Sequence, residues 1–216
     1  MKTSAGSKDR QSAVRLLACI VAGGRPANRD EWGEEVISVL EGQARLQALD
    51  FWMRYPDYLA NELLNTYEAG GAGHLLTTAR RIFDDREPDL RHLPMIRYHF
   101  GAYEPLDNAL SILRATDLIR IERTGQPGKV KQHAYLLTRH GRDALETLAA
   151  EAPELAWYRD RALLVAEVAG VQGGSKLKDR QYLQEEYADT DLSQPIRPIT
   201  ARVLERLQKL EGGCEP

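Results

Sequence analysis

The residues of this chain that could carry catalysis are few, and their spacing does not serve it. The five histidines are His74, His92, His99, His133 and His140. No two stand at the i, i+4 spacing of a metalloprotease helix, and neither Cys19 nor Cys214 is near any of them, so no zinc site is expected. Asp84, Asp85, Glu87 and Asp89 form an acidic run without the glycine and spacing of a calcium loop, and a solvated loop is the plainer reading. Glu34/Glu35 and Glu185/Glu186 are adjacent on expected helices, so each pair points in two directions. The nucleophile-elbow pattern G-x-S-x-G is absent. GVQGGSKL, residues 170–177, invites comparison with a phosphate loop. There a glycine precedes the lysine and Ser or Thr follows it, whereas here Ser175 precedes Lys176 and Leu177 follows. GGAGH, residues 70–74, has no preceding strand to make it a dinucleotide loop. These absences predict a protein that is not an enzyme and takes neither cofactor nor metal.

Positive charge is arranged more tellingly. From Arg114 to Arg142 there are seven basic residues, Arg114, Arg120, Arg123, Lys129, Lys131, Arg139 and Arg142, against Asp117 and Glu122. That local excess of +5 sits on a chain whose net charge is −3. Cations on a protruding hairpin and at a helix start are what phosphate contacts require. Arg114, Arg123, Lys129, Lys131 and Arg139 are the candidate nucleic-acid contacts. Lysines on an edge strand also guard against aggregation, and that reading stands beside the first. The helix preceding the hairpin, about Leu106 to Ala115, offers Asn108, Ser111 and Arg114 for reading bases, a short list for sequence-specific recognition.

The elements that must position these residues follow from periodicity and punctuation. Val14, Leu17, Ala18 and Val21 lie at helical spacing on a helix over about 8–22, stopped by Gly23 and Gly24. A second, long helix is expected from Asp30, with Val36, Leu40, Leu46, Leu49 and Trp52/Met53 as its stripe and a bend at Gly42, ending before Pro56. Phe51, Trp52 and Tyr55 make it apolar nearly all round, which predicts burial in the core or against a partner. Further helices are expected over about 57–67 and 75–83. Residues 84–94, polar with two prolines, read as a linker or exposed loop. Then come a helix with Leu106, Leu110 and Leu113 on one face, an alternating strand over 118–124, a GQPG turn over 125–128, a second strand over 130–138 and a helix capped by Thr138. Helix, strand, turn, strand, helix is the order that ends a winged helix. The expected fold is therefore mainly α: a winged helix-turn-helix domain with a two-stranded wing, flanked at both ends by amphipathic helices. The divisions are 1–87, a helical region; 88–150, the winged helix; and 151–216, a second helical region containing helices over about 153–169, 176–187 and 200–210.

Composition bounds the partners. Hydrophobic residues make up 43% and charged residues 28% of the 216, as in a soluble domain with a real core. The negative total means that any polyanion is met by a local patch. Two distant cysteines make no disulfide framework. The polar start MKTSAGSKDRQ lacks a signal-peptide pattern, and no apolar run reaches the length of a membrane span. A cytoplasmic protein with no membrane partner is expected.

Two resemblances bear on function. AYLLTRHGRDALETL, residues 134–148, resembles the end of the winged helix in MarR- and PadR-type regulators, where a strand enters the last helix through Leu-Thr-x-x-Gly-Arg. LDFWMRYPDYLANELL (49–64), MIRYHFGAYEPLDNALSILRATDLI (95–119), YLLTRHGRDAL (135–145) and GGSKLKDRQYLQEEY (173–187) together are similar to the small middle component of bacterial ABC-three-component systems. The accessory subunit of Lamassu-type anti-phage complexes is of this kind. That similarity implies a non-catalytic subunit assembled with an SMC-like ATPase and an effector, with a wing that meets double-stranded DNA non-specifically. The alternative is a homodimeric winged-helix transcriptional regulator. Residues 1–45 and the tail after Tyr187 fall outside the resemblance.

Overall fold

The computed structural model describes residues 5–99, 101–125 and 132–212. Helix α1 (Ala5–Gly23) leads through a short strand β1 (Arg25–Pro26) and one-turn helix α2 (Arg29–Trp32) into β2 (Val36–Glu41). Helices α3 (Gln43–Arg54), α4 (Pro56–Glu68), α5 (His74–Asp84) and the short α6 (Glu87–Leu90) follow, then the strands β3 (Ile96–Tyr98) and β4 (Gly101–Tyr103). The chain continues through α7 (Asp107–Ala115), β5 (Ile119–Thr124), β6 (Gln132–Thr138), α8 (Arg139–Glu151), α9 (Pro153–Ala169), α10 (Gly174–Tyr182), α11 (Glu185–Ala188) and α12 (Thr200–Gly212). The fold is mainly helical with a small antiparallel sheet, as expected.

Contacts divide the chain into two compact units, one of Met1–Asp50 with Glu104–Asp179, the other of Phe51–Tyr103 with Arg180–Pro216. Their boundaries fall inside α3 and α10 rather than at the expected divisions after residues 87 and 150. The cause is β2. The long helix expected from Asp30 is instead α2, a turn and a strand. Val36, Ile37 and Val39 are β-branched and favour extended backbone, and Gly42, at φ 87°, separates that strand from α3. β2 pairs antiparallel with β6, Val39 opposite Leu136 and Leu40 opposite Tyr135, so a strand near residue 40 belongs with one near residue 135.

In the first unit the sheet order is β1-β2-β6-β5. Val36, Val39, Ala134 and Leu136 form a small cluster under Ala27 and Trp32. Ile119, Leu40, Tyr135 and Leu137 are buried, and the alternation of a strand puts them on the opposite face. Helix α1 packs on α7, α8 and α9, and its Arg15 meets Asp50 at 2.5 Å with both side chains out of solvent. Arg45 donates to the carbonyl of Gly170 at 2.9 Å, of Gly23 at 3.3 Å and of Gln172. A cation there answers the negative ends of α1 and α9. The glycine-rich run after α9 is thus a helix joint whose carbonyls are occupied by an arginine.

In the second unit α4 packs on α5 and α12. Phe51 stacks on Tyr55 at 4.4 Å and meets Tyr58 and Tyr187 edge-on at 5.0 and 5.3 Å. The tyrosine hydroxyls tie down irregular chain: Tyr55 donates to the Ile196 carbonyl (3.0 Å), Tyr58 to that of Arg197 (2.9 Å), and Tyr187 accepts from the Ala102 amide (2.6 Å). The 84–94 segment is no free linker. It contains α6, and Arg54 donates at 2.8 Å to the carbonyls of Leu93 and Pro94. The expected helix over 176–187 is split into α10 and α11.

Candidate nucleic-acid interface

Helix α7 turns Leu106, Ala109, Leu110 and Leu113 inward, and all four are buried. That leaves Asp107, Asn108, Ser111 and Arg114 exposed on its outer side. Asn108 donates to Asp9 at 3.4 Å, which turns one of the three candidate base readers toward its own chain. The helix ends at Thr116, and Asp117 takes the left-handed conformation, φ 51°, that reverses the chain into β5. The Leu118 amide closes the corner on the Leu113 carbonyl at 3.0 Å.

Strands β5 and β6 then pair with Ile119 opposite Leu137, Ile121 opposite Tyr135 and Arg123 opposite His133. Alternation puts these six on one face of the hairpin. Between that face and α7 lies a groove of about 270 Å³, lined by Leu106, Leu110, Ile121 and Tyr135 below and by Asp107, Ser111, Arg114, Arg123, His133 and Gln43 around it. Burial, reinforced by the charge of Asp107, pushes the Tyr135 hydroxyl up to about 12, so it stays a neutral hydrogen-bonding group at the groove floor. Arg114 and Arg123 have no ion-pair partner among the described residues. The neighbouring cations differ: Arg120 pairs with Asp117 and Arg142 with Asp143, each at 3.4 Å.

Of the expected contacts, the structure brings Arg114 and Arg123 to one groove. Arg139 is exposed at the first position of α8 and does not line it. Lys129 and Lys131 lie outside the described residues. His133 belongs to the groove and was weighed in the sequence only as a metal ligand. The signal that places it is the alternation of β6 once its register against Arg123 is known. No group of three or more His, Cys, Asp or Glu among the described residues is placed to hold a metal ion, and no helix among them is long and apolar enough to cross a membrane.

The candidate partner contacts are corrected. Phe51, Trp52 and Tyr55 are 0, 1 and 0% exposed. They are core, with Arg180 of α10 over the Trp52 ring at 5.1 Å. An apolar surface all round a helix demands cover, and here the chain's own elements supply it.

Comparison with protein-family models, with curated proteins and with solved structures finds no match to this chain.

Proposed function

We propose that this chain is a non-catalytic winged-helix subunit of an SMC-like ATPase assembly, and that it holds double-stranded DNA by its backbone, without reading sequence. The observation that carries this is the order α1-β2-α3-α7-β5-β6, with β6 between β2 and β5 and α7 against the hairpin. Helix–strand–helix–helix–strand–strand is the arrangement in which a winged helix offers one helix and one hairpin to a duplex. Arg114 and Arg123 supply charge without an internal partner. The meagre outer side of α7 supports backbone contact over base readout. The ATPase and effector come from the resemblance of residues 49–64, 95–119, 135–145 and 173–187.

Two measurements test this. Tagged protein purified from its native operon is expected to bring a large ATPase at fixed stoichiometry. A clean homodimer bound to one palindrome would instead establish the regulator. Second, Arg114→Glu/Arg123→Glu is expected to weaken binding to mixed-sequence duplexes uniformly and to lower the salt slope by nearly two, about 0.9 per phosphate contact. An unchanged affinity would overturn the DNA role.

A further inference from the structure

Resting on that reading, we propose that the groove between α7 and the β5–β6 hairpin is a seat for one backbone phosphate, and that His133 takes up a proton when the seat is filled. Three donors of the right kind converge on the groove from three elements: Arg114 from the last turn of α7, Arg123 from β5 and His133 from β6. Arg123 and His133 are register partners, so their side chains leave the hairpin side by side. Ser111 and Gln43 add neutral donors to the wall. A phosphodiester is a single negative charge with two free oxygens, and guanidinium groups meet it with paired hydrogen bonds.

The charged and titratable groups facing His133 are all in the lining. Asp107 and Arg114 come from α7, Arg123 from β5 and Tyr135 from β6, while α3 contributes only the neutral Gln43. The two arginines outweigh Asp107, so the empty groove holds one net positive charge. An anion entering it favours the charged form of an adjacent imidazole, the side chain whose charge changes in the physiological range. Binding then consumes a proton, and affinity falls as pH rises.

The test uses the whole chain and a mixed-sequence DNA duplex at constant ionic strength. Wild type is expected to bind up to about tenfold more tightly near pH 5.5 than near pH 8, the ratio that follows if the bound phosphate raises the imidazole pKa by about one. His133→Gln should keep the weaker affinity at both, and His133→Lys, charged throughout, the tighter one. A His133→Gln variant that retains the wild-type pH response overturns the proton uptake. If Arg114→Glu/Arg123→Glu still abolishes binding, the DNA reading survives that failure. Duplex binding absent in wild type, with inorganic phosphate alone shifting the His133 ring signals in NMR, would make the groove a site for a free anion and overturn both.

Discussion

His92 is half-buried beside the Tyr55 ring, 4.7 Å between centroids, and its Nε2 has no hydrogen-bond partner among the described residues. Burial lowers its pKa below the ordinary 6.5, Arg54 adds to that, and the Asp57 carboxylate opposes it. Folding therefore favours the neutral ring. The stability this contributes is present above pH 6.5 and is lost as pH falls through the lowered value. Acidification from about pH 7 to pH 5 should lower the thermal midpoint of wild type more than that of His92→Gln. Equal acid sensitivity in the two would show that His92 does not sense the fold. Nothing in the spacing of His92 or Asp57 marked these roles. Asp57 accepts from the amides of Tyr58 (2.9 Å) and Ile199 (2.6 Å) and from the Thr200 hydroxyl (3.1 Å), so it serves the start of a helix that begins far along the chain. Such a partnership has no sequence period. Phe51, Trp52 and Tyr55 are the converse case: their pattern announced burial, and only packing named what buries them.

At the scale of elements, the Leu-Thr-x-x-Gly-Arg run has a geometric explanation. Thr138 Oγ1 accepts from the Gly141 amide at 3.0 Å, capping α8, and donates to the Asp117 carbonyl at 2.8 Å. A Cβ on Gly141 would run into the Leu118 carbonyl oxygen. The motif thus locks the strand-to-helix corner against the corner that follows α7, which fixes the groove's two walls. In urea titrations Thr138→Ala should cost about 1–2 kcal/mol through loss of the cap. Gly141→Ala should cost about 1–3 kcal/mol, because the crowded neighbour is backbone. A Gly141→Ala protein as stable as its parent would mean that the corner yields freely. The cap was legible in the sequence because it is local. Strand β2 was misread because Val36, Leu40 and Leu46 also fit a helical stripe. Its β-branched residues and Gly42 were the better evidence, and pairing with β6 decided between the readings.

For the whole molecule the main fact is that each unit is discontinuous in sequence. The first unit's chain is left within α3 and resumed at Glu104, and the second unit is completed by Arg180–Pro216. There Arg206 bonds Asn61 (2.6 Å) and Asn65 (2.8 Å), and Arg180 bonds Glu62 (3.1 Å). A fragment of residues 88–150 lacks α1 and β2, so the buried residues of β6 lose the strand beside them. It is expected to give no cooperative unfolding by circular dichroism, whereas the full chain does. A cooperative transition in the fragment would make β2 and α1 dispensable.

The sequence by itself determined what short-range physics governs: the helical spacing of α1, α7, α9 and α12, the alternation of β5 and β6, the cap at Thr138, the break before Pro56 and the local excess of positive charge. Tertiary structure alone decided that residues 36–41 form a strand, that the aromatic residues of α3 face their own chain, that Arg54 holds the 93–94 segment, and that Arg123 and His133 share a groove with Arg114. Each of these depends on partners distant in the chain. Pairing register and burial are settled by which surfaces meet, and a sequence period describes only the surface that one element offers.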